Sequence, residues 1–177
     1  MNTQAGRTPS GITTLVANEY NAGVYHTTEI TLTNFIVGTL AGAAAALAVG
    51  NKIYTLPAGV QLYKATYYNI SLTAAGTAVT TKTGIGSVIA SGAVSVLNGT
   101  ATFMNYVAEN NVATASGGGT SVPILQCVTA GALIGISLQT AATVKDIFLN
   151  SAGTWNVNNT GNLTASGTIV LEWSTIA

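Results

Sequence analysis

The sequence predicts an all-β protein: an antiparallel β-sandwich of jelly-roll-like form, preceded by an extended N-terminal arm. Three observations lead there. Apolar residues recur with a period of two along several stretches, and turns rich in Gly, Asn and Pro separate those stretches. No segment shows the sustained apolar stripe of an amphipathic helix. With 177 residues the chain is long enough for one domain with a real core.

Residues 1–23 mix Gly, Pro, Ser and Thr with one short apolar run, Ile12 to Val16, and read as an arm outside the core. Fully extended at ~3.3 Å per residue, such an arm reaches roughly 75 Å. Residues 24–177 then form the single sandwich domain. From Val24 the chain alternates: Val24, His26, Thr28, Ile30, Leu32, Asn34 and Ile36 fall on one mostly apolar face of a long strand. Leu40 to Val49 is Ala-rich but lacks an amphipathic stripe, so helix and loop both stay open there. Ile53 to Leu56 runs into a Pro57-Ala58-Gly59 turn, and Val60 to Leu72 follows with Val60, Leu62, Thr66, Tyr68, Ile70 and Leu72 on a shared face.

Thr73 to Thr83 is small and polar and reads as a long loop before a strand from Ile85 to Ala90. A short element is expected over Ala101 to Glu109, and a flexible stretch over Ala113 to Ser121. Three late strands follow: Leu133 to Leu138, Val144 to Asn150 and Leu163 to Trp173. Many short β runs without a helical period predict two antiparallel sheets packed face to face.

Composition narrows the function. Hydrophobic residues make up 48% and charged ones 6%, with a formal net charge of zero, whereas soluble proteins average about 25% charged residues. A surface of Thr, Ser, Asn and Gly offers little repulsion between copies, which points to association. The five cations, Arg7, Lys52, Lys64, Lys82 and Lys145, are scattered, so no basic stripe exists for nucleic acid. No basic leader precedes an apolar run, and Phe35 to Gly50 falls short of the ~18 continuous apolar residues of a spanning helix. No membrane partner is expected. Cys127, the sole cysteine, sits among Ile124, Leu125 and Val128 and reads as a small buried hydrophobe.

Chemistry is equally sparse. His26 is the only histidine, and no Gly-x-Ser-x-Gly accompanies it. The acids Glu19, Glu29, Glu109, Asp146 and Glu172 lie far apart in sequence and offer neither a carboxylate pair nor metal-ligand spacing. Gly84-Ile85-Gly86 and Gly117-Gly118-Gly119 lack the remaining residues of phosphate-binding loops and read as turn or loop glycines. The expectation is therefore no catalytic residue, no metal and no cofactor. Tyr63 and Tyr67 would share one strand face and Tyr68 the other, while the adjacent Lys145 and Asp146 point to opposite faces and meet partners elsewhere. With His26, the residues Tyr63, Tyr67, Lys145 and Asp146 are the candidates for contacts between subunits.

Five segments carry a resemblance: Tyr25 to Thr33, Lys52 to Val60, Thr83 to Val88, Thr143 to Asn150 and Asn162 to Trp173. In this order they resemble tailed-bacteriophage virion proteins of the capsid decoration, or cement, type. The resemblance implies a β-sandwich that assembles as a homotrimer on the outer surface of the phage head, made in the host cytoplasm, with the major capsid protein as partner. Arg7, Ile12, Leu15 and Val16 of the arm would then contact the capsid. Thr77 to Thr83, with only Lys82 charged, and Ala113 to Ser121 depart from the pattern. The alternative is a receptor- or carbohydrate-binding module of a head fibre or tail-associated spike, since jelly rolls also serve as lectins.

Overall fold

The computed structural model describes residues 14–41, 47–74, 78–98, 100–115, 118–119, 122–126, 143–155 and 160–175. They form ten strands: β1 (Thr14–Ala22), β2 (Tyr25–Ala41), β3 (Ala48–Leu56), β4 (Val60–Ala74), β5 (Ala78–Gly86), β6 (Val107–Ala115), β7 (Gly118–Gly119), β8 (Val122–Gln126), β9 (Lys145–Trp155) and β10 (Thr160–Thr175). A 3-10 turn at Ala101–Phe103 is the one helical element among the described residues. Two five-stranded sheets result, ordered β1-β2-β10-β4-β8 and β3-β9-β5-β6-β7, and every strand pairing is antiparallel. One core joins them: Ile30, Leu32, Leu62, Tyr67, Ile169 and Leu171 from the first sheet meet Ile53, Leu56, Ile85, Ile147 and Leu149 from the second. Burial of these apolar side chains, at about 25 cal/mol per Å², is the main stabilising contribution.

Regular structure starts earlier than the composition break near Val24 predicts. Residues 14–22, expected in an arm, are strand β1, hydrogen-bonded to β2 in unbroken register from Thr14 opposite Thr33 to Ala22 opposite Tyr25. Ala17 is buried and Leu15 packs against the core, so this stretch belongs to the sheet. Residues 1–13 lie outside the described residues, as do the expected strand Leu133 to Leu138, Cys127 and the middle of the Ala-rich stretch, 42–46. Two further boundaries move: β5 runs through the expected loop before Gly84, and residues 87–90 leave the sheet where a strand was expected.

The first sheet carries a coordinated kink. Asn34 of β2 and Asn69 of β4 both have φ of 50°, and between them on β10 stands Gly167 with φ of 138°. The register slips at the same place on both sides of β10, between Ala165 and Gly167 toward β2 and between Ser166 and Thr168 toward β4. Each slip adds one residue to the outer strand, a bulge that reverses which face its side chains occupy. Asn tolerates the left-handed conformation because its side chain is short and polar. Gly167 has no substitute: a β carbon there would lie 2.6 Å from the Asn69 carbonyl oxygen and 2.9 Å from the Ile70 α carbon. The Asn34 N–H donates to Ser166 Oγ at 2.9 Å, which closes the bulge on the β2 side.

On its outer face the second sheet is covered by residues 87–98 and 100–106, which lie directly on the strands. Ala48, Ala90, Leu97 and Ala152 make a second small core there, with Phe103 and Met104 against it. Close approach requires strands without side chains. Gly86 sits under the Thr102 and Phe103 backbone, and Gly50 under the Asn150 side chain, where any β carbon would overlap them. Gly84 and Gly86 are thus strand residues, not the turn glycines the sequence predicts.

Candidate functional site

Alternation along the first sheet sends two sets of side chains to opposite faces. Inward go Glu19, Thr28, Leu171 and Ala65 as one row, and Ala17, Ile30, Ile169 and Tyr67 as the next. Outward go Tyr20, Thr27, Glu172 and Lys64, then Asn18, Glu29, Val170 and Thr66, then Val16, Thr31, Thr168 and Tyr68, with Tyr25 and Tyr63 nearby. Val16, Tyr20, Tyr25, Tyr63 and Tyr68 are all exposed, Tyr25 to 60%. Tyr25 and Tyr63 meet edge to face with centroids 6.5 Å apart, and Lys64 Nζ donates to Glu172 Oε1 at 2.8 Å beside them. That hydrogen bond is the chief reason the Lys64 ammonium is held above its ordinary range. Slight burial, followed by the nearby Glu172 charge, pushes the Tyr63 phenol up. The outer face is thus a broad surface of tyrosine rings and threonine hydroxyls with little charge.

Beneath this face a polar cluster closes one end of the core. His26 stacks flat on Trp173, with centroids 3.9 Å apart and 6° between planes, and its Nδ1 donates to Glu19 Oε1 at 3.1 Å. Trp173 Nε1 donates to Thr28 Oγ1 at 2.9 Å, and Tyr54 of the facing sheet donates its hydroxyl to Glu19 Oε2 at 3.3 Å. Burial drives the Tyr54 phenol above its ordinary value, with the Glu19 charge adding to the effect and a hydrogen bond from Thr28 opposing it. Every polar tip has a partner, as buried polar groups require. The cluster fastens β1 to β2, β10 and β3.

The residues singled out in the sequence do not converge. Arg7 and Ile12 lie outside the described residues. Leu15 is partly buried against the core, whereas Val16 is exposed on the outer face. Tyr63 is on that face too, but Tyr67, expected at a subunit contact, is a fully buried core side chain. Bulges at Tyr63 and Asn69 reverse the intervening parity of β4, so Tyr67 turns inward and Tyr68, expected on the apolar face, turns out. His26 belongs to the interior cluster. Lys145 and Asp146 are on the other sheet; Asp146 accepts from Thr55 Oγ1 at 2.6 Å and lies 3.5 Å from Lys52 Nζ.

Two anchors, Asn150 buried and Glu109 partly buried, had no sequence signal. Glu109 accepts from Lys82 Nζ at 2.7 Å through one oxygen and from the Leu97 and Asn98 amides at 2.7 and 3.2 Å through the other. Asn150 accepts from the Ala90 N–H at 2.8 Å and donates to the Val88 and Phe103 carbonyls at 2.9 and 2.7 Å. Their partners are mainly backbone groups of the covering segment, which no residue type announces.

Among the described residues, no three His, Cys, Asp or Glu side chains gather as metal ligands, and no helix is long and apolar enough to cross a membrane. These features define an all-β protein of two apposed antiparallel sheets with one broad, weakly charged outer face. No family model, curated protein or solved structure matches the chain.

Proposed function

We propose that this chain is a non-enzymatic structural protein of a phage virion, of the capsid decoration type, which binds the outside of the assembled head and stabilises it. The observation that bears most weight is the outer face of the first sheet. Five exposed apolar side chains, four of them tyrosines, spread over β1, β2 and β4, and the charges on the same face are the Lys64–Glu172 pair and Glu29. Tyrosine supplies large contact area at low entropic cost, and threonine hydroxyls complement polar neighbours. A chain with 6% charged residues adds little repulsion between copies. We take the assembled form to be a homotrimer, as the resemblance to decoration proteins implies.

The strand order supports reading the sandwich as jelly-roll-like. With the hairpin partner β1 and the two-residue β7 set aside, β2-β10-β4-β8 faces β3-β9-β5-β6. Successive strands β2 to β5 alternate between sheets, as do β8 and β9, which is the nesting of two Greek keys. The mechanism is mass action. A protein that binds the assembled lattice but not free capsid subunits stabilises the shell by RT ln(1 + [L]/Kd) per site.

The exposed Tyr25 and Tyr63 pair favours a second reading, a glycan-binding module, because aromatic faces also suit sugar rings. One experiment separates them: full-length protein is added to heads that lack it and, in parallel, to a glycan array. Saturable binding to heads with a rise in the temperature of DNA release supports decoration. Glycan binding without head binding overturns it.

A further inference from the structure

We propose that the free edge of β1 is a docking edge for a second copy of this chain, which pairs through the same strand, antiparallel, about a two-fold axis near Asn18. β1 terminates the first sheet, and no described strand pairs with its other side. Such an edge presents a row of unpaired N–H and C=O groups, which proteins ordinarily guard with bulges, Lys, Pro, short length or a covering segment. The three other sheet edges are guarded. β3 is bulged around Ile53, carries Lys52 and is bridged at Ala48 to Gly92 of the covering segment. β7 has two residues, and β8 has five with Pro123 among them.

Among the described residues, β1 has none of these devices. Its nine residues keep unbroken register with β2 and include neither Lys nor Pro. Its one charge, Glu19, is turned inward and held by His26 and Tyr54; in the pair it stands opposite Ala17 of the second copy, with the second copy's Glu19 diagonal to it and not directly across. The strand is also self-complementary. Antiparallel pairing about Asn18 sets the outward Val16 of each copy opposite Tyr20 of the other, a β-branched residue facing an aromatic ring, which is a favourable cross-strand pair. Both side chains are exposed and available for it. The contact is isologous, and it joins two five-stranded sheets into one continuous sheet. It shares Val16 and Tyr20 with the face that carries the capsid reading but does not rest on that reading; where trimers form, it links one trimer to the next.

The test uses the full chain. Light scattering coupled to size exclusion, over a concentration series, compares wild type, V16K/Y20K, V16E/Y20E and an equimolar mixture of the two variants, with circular dichroism to verify folding. The proposal expects an even number of copies in wild type. Mass should halve in either variant alone, where like charges face each other, and recover in the mixture, where Lys faces Glu. A wild-type mass unchanged by both substitutions overturns the two-fold contact and leaves the trimer untouched. So does a monomer. Mass lost in the variants but not recovered in the mixture also overturns it, because those side chains then meet a different surface.

Discussion

Replacing Asn150 with Ala removes the amide that fastens the covering segment to the second sheet. Three hydrogen bonds go, to the Ala90 amide and the Val88 and Phe103 carbonyls. A hydrogen bond contributes about 0.5–1.5 kcal/mol net, but a partner left buried and unpaired costs about 1–3 kcal/mol. Ala90 is buried and its N–H bears that larger cost, while Val88 is exposed and its neighbourhood can admit water. The sum is about 3–5 kcal/mol, which for a chain of this size corresponds to a fall in midpoint of about 10 °C. Urea denaturation followed by tryptophan fluorescence measures it, and a loss below about 1 kcal/mol refutes the latch. Gly50 sharpens the test. Gly50→Ala should be destabilising because its β carbon would overlap Asn150 Oδ1, but in the Asn150→Ala background that overlap is gone and the nearest of the remaining approaches is the Ala90 nitrogen at 3.0 Å. The double variant should therefore lose about 1–2 kcal/mol less than the sum of the singles, and strict additivity would contradict the packing described.

Gly167→Ala should cost about 3 kcal/mol, read by the same denaturation assay, since φ of 138° disfavours any side chain and the β carbon meets the β4 backbone. Tyr54 and Tyr106 both hold their protons above the ordinary phenol range, mainly because of burial. Their contribution is intact below the unfolded value of about 10 and lost as pH rises through the higher folded value, so stability should fall in strong alkali. The Tyr54→Phe/Tyr106→Phe variant should lose less over that range, and equal losses would refute the assignment. The thermal midpoint also reports on β1. Deleting 1–23 should lower it sharply, because that removes β1 with the buried Ala17 and the Glu19 bonds to His26 and Tyr54.

The all-β class was legible because alternation is strong where strands are regular. In β2 the expected face holds from Thr28 through Leu32, then passes to Phe35 and Val37 beyond the Asn34 bulge. In β4 it holds at Val60 and Leu62, reverses at Ala65 and Tyr67, and returns at Ile70 and Leu72. A bulge adds one residue and inverts parity, and a period of two cannot announce where that happens. The single Asn residues at the bulges were the available signal. β1 was missed for a related reason: its inward set, Leu15, Ala17 and Glu19, includes a carboxylate whose partners lie on other strands. Gly84 and Gly86 were misread because glycine serves both turns and close backbone approach. Glu109 and Asn150 hold backbone groups distant in sequence, Asn150 across 60 residues to Ala90, and only the folded chain brings them together.

Imaging of the virion that carries this chain, by cryo-electron microscopy with the chain's copy number measured by quantitative mass spectrometry, tests the central claim most directly. The proposed function predicts many copies in regular array on the outer surface of the head, with density that fits the two-sheet fold. A handful of copies confined to the tail or to fibres, or absence from the particle, would contradict it.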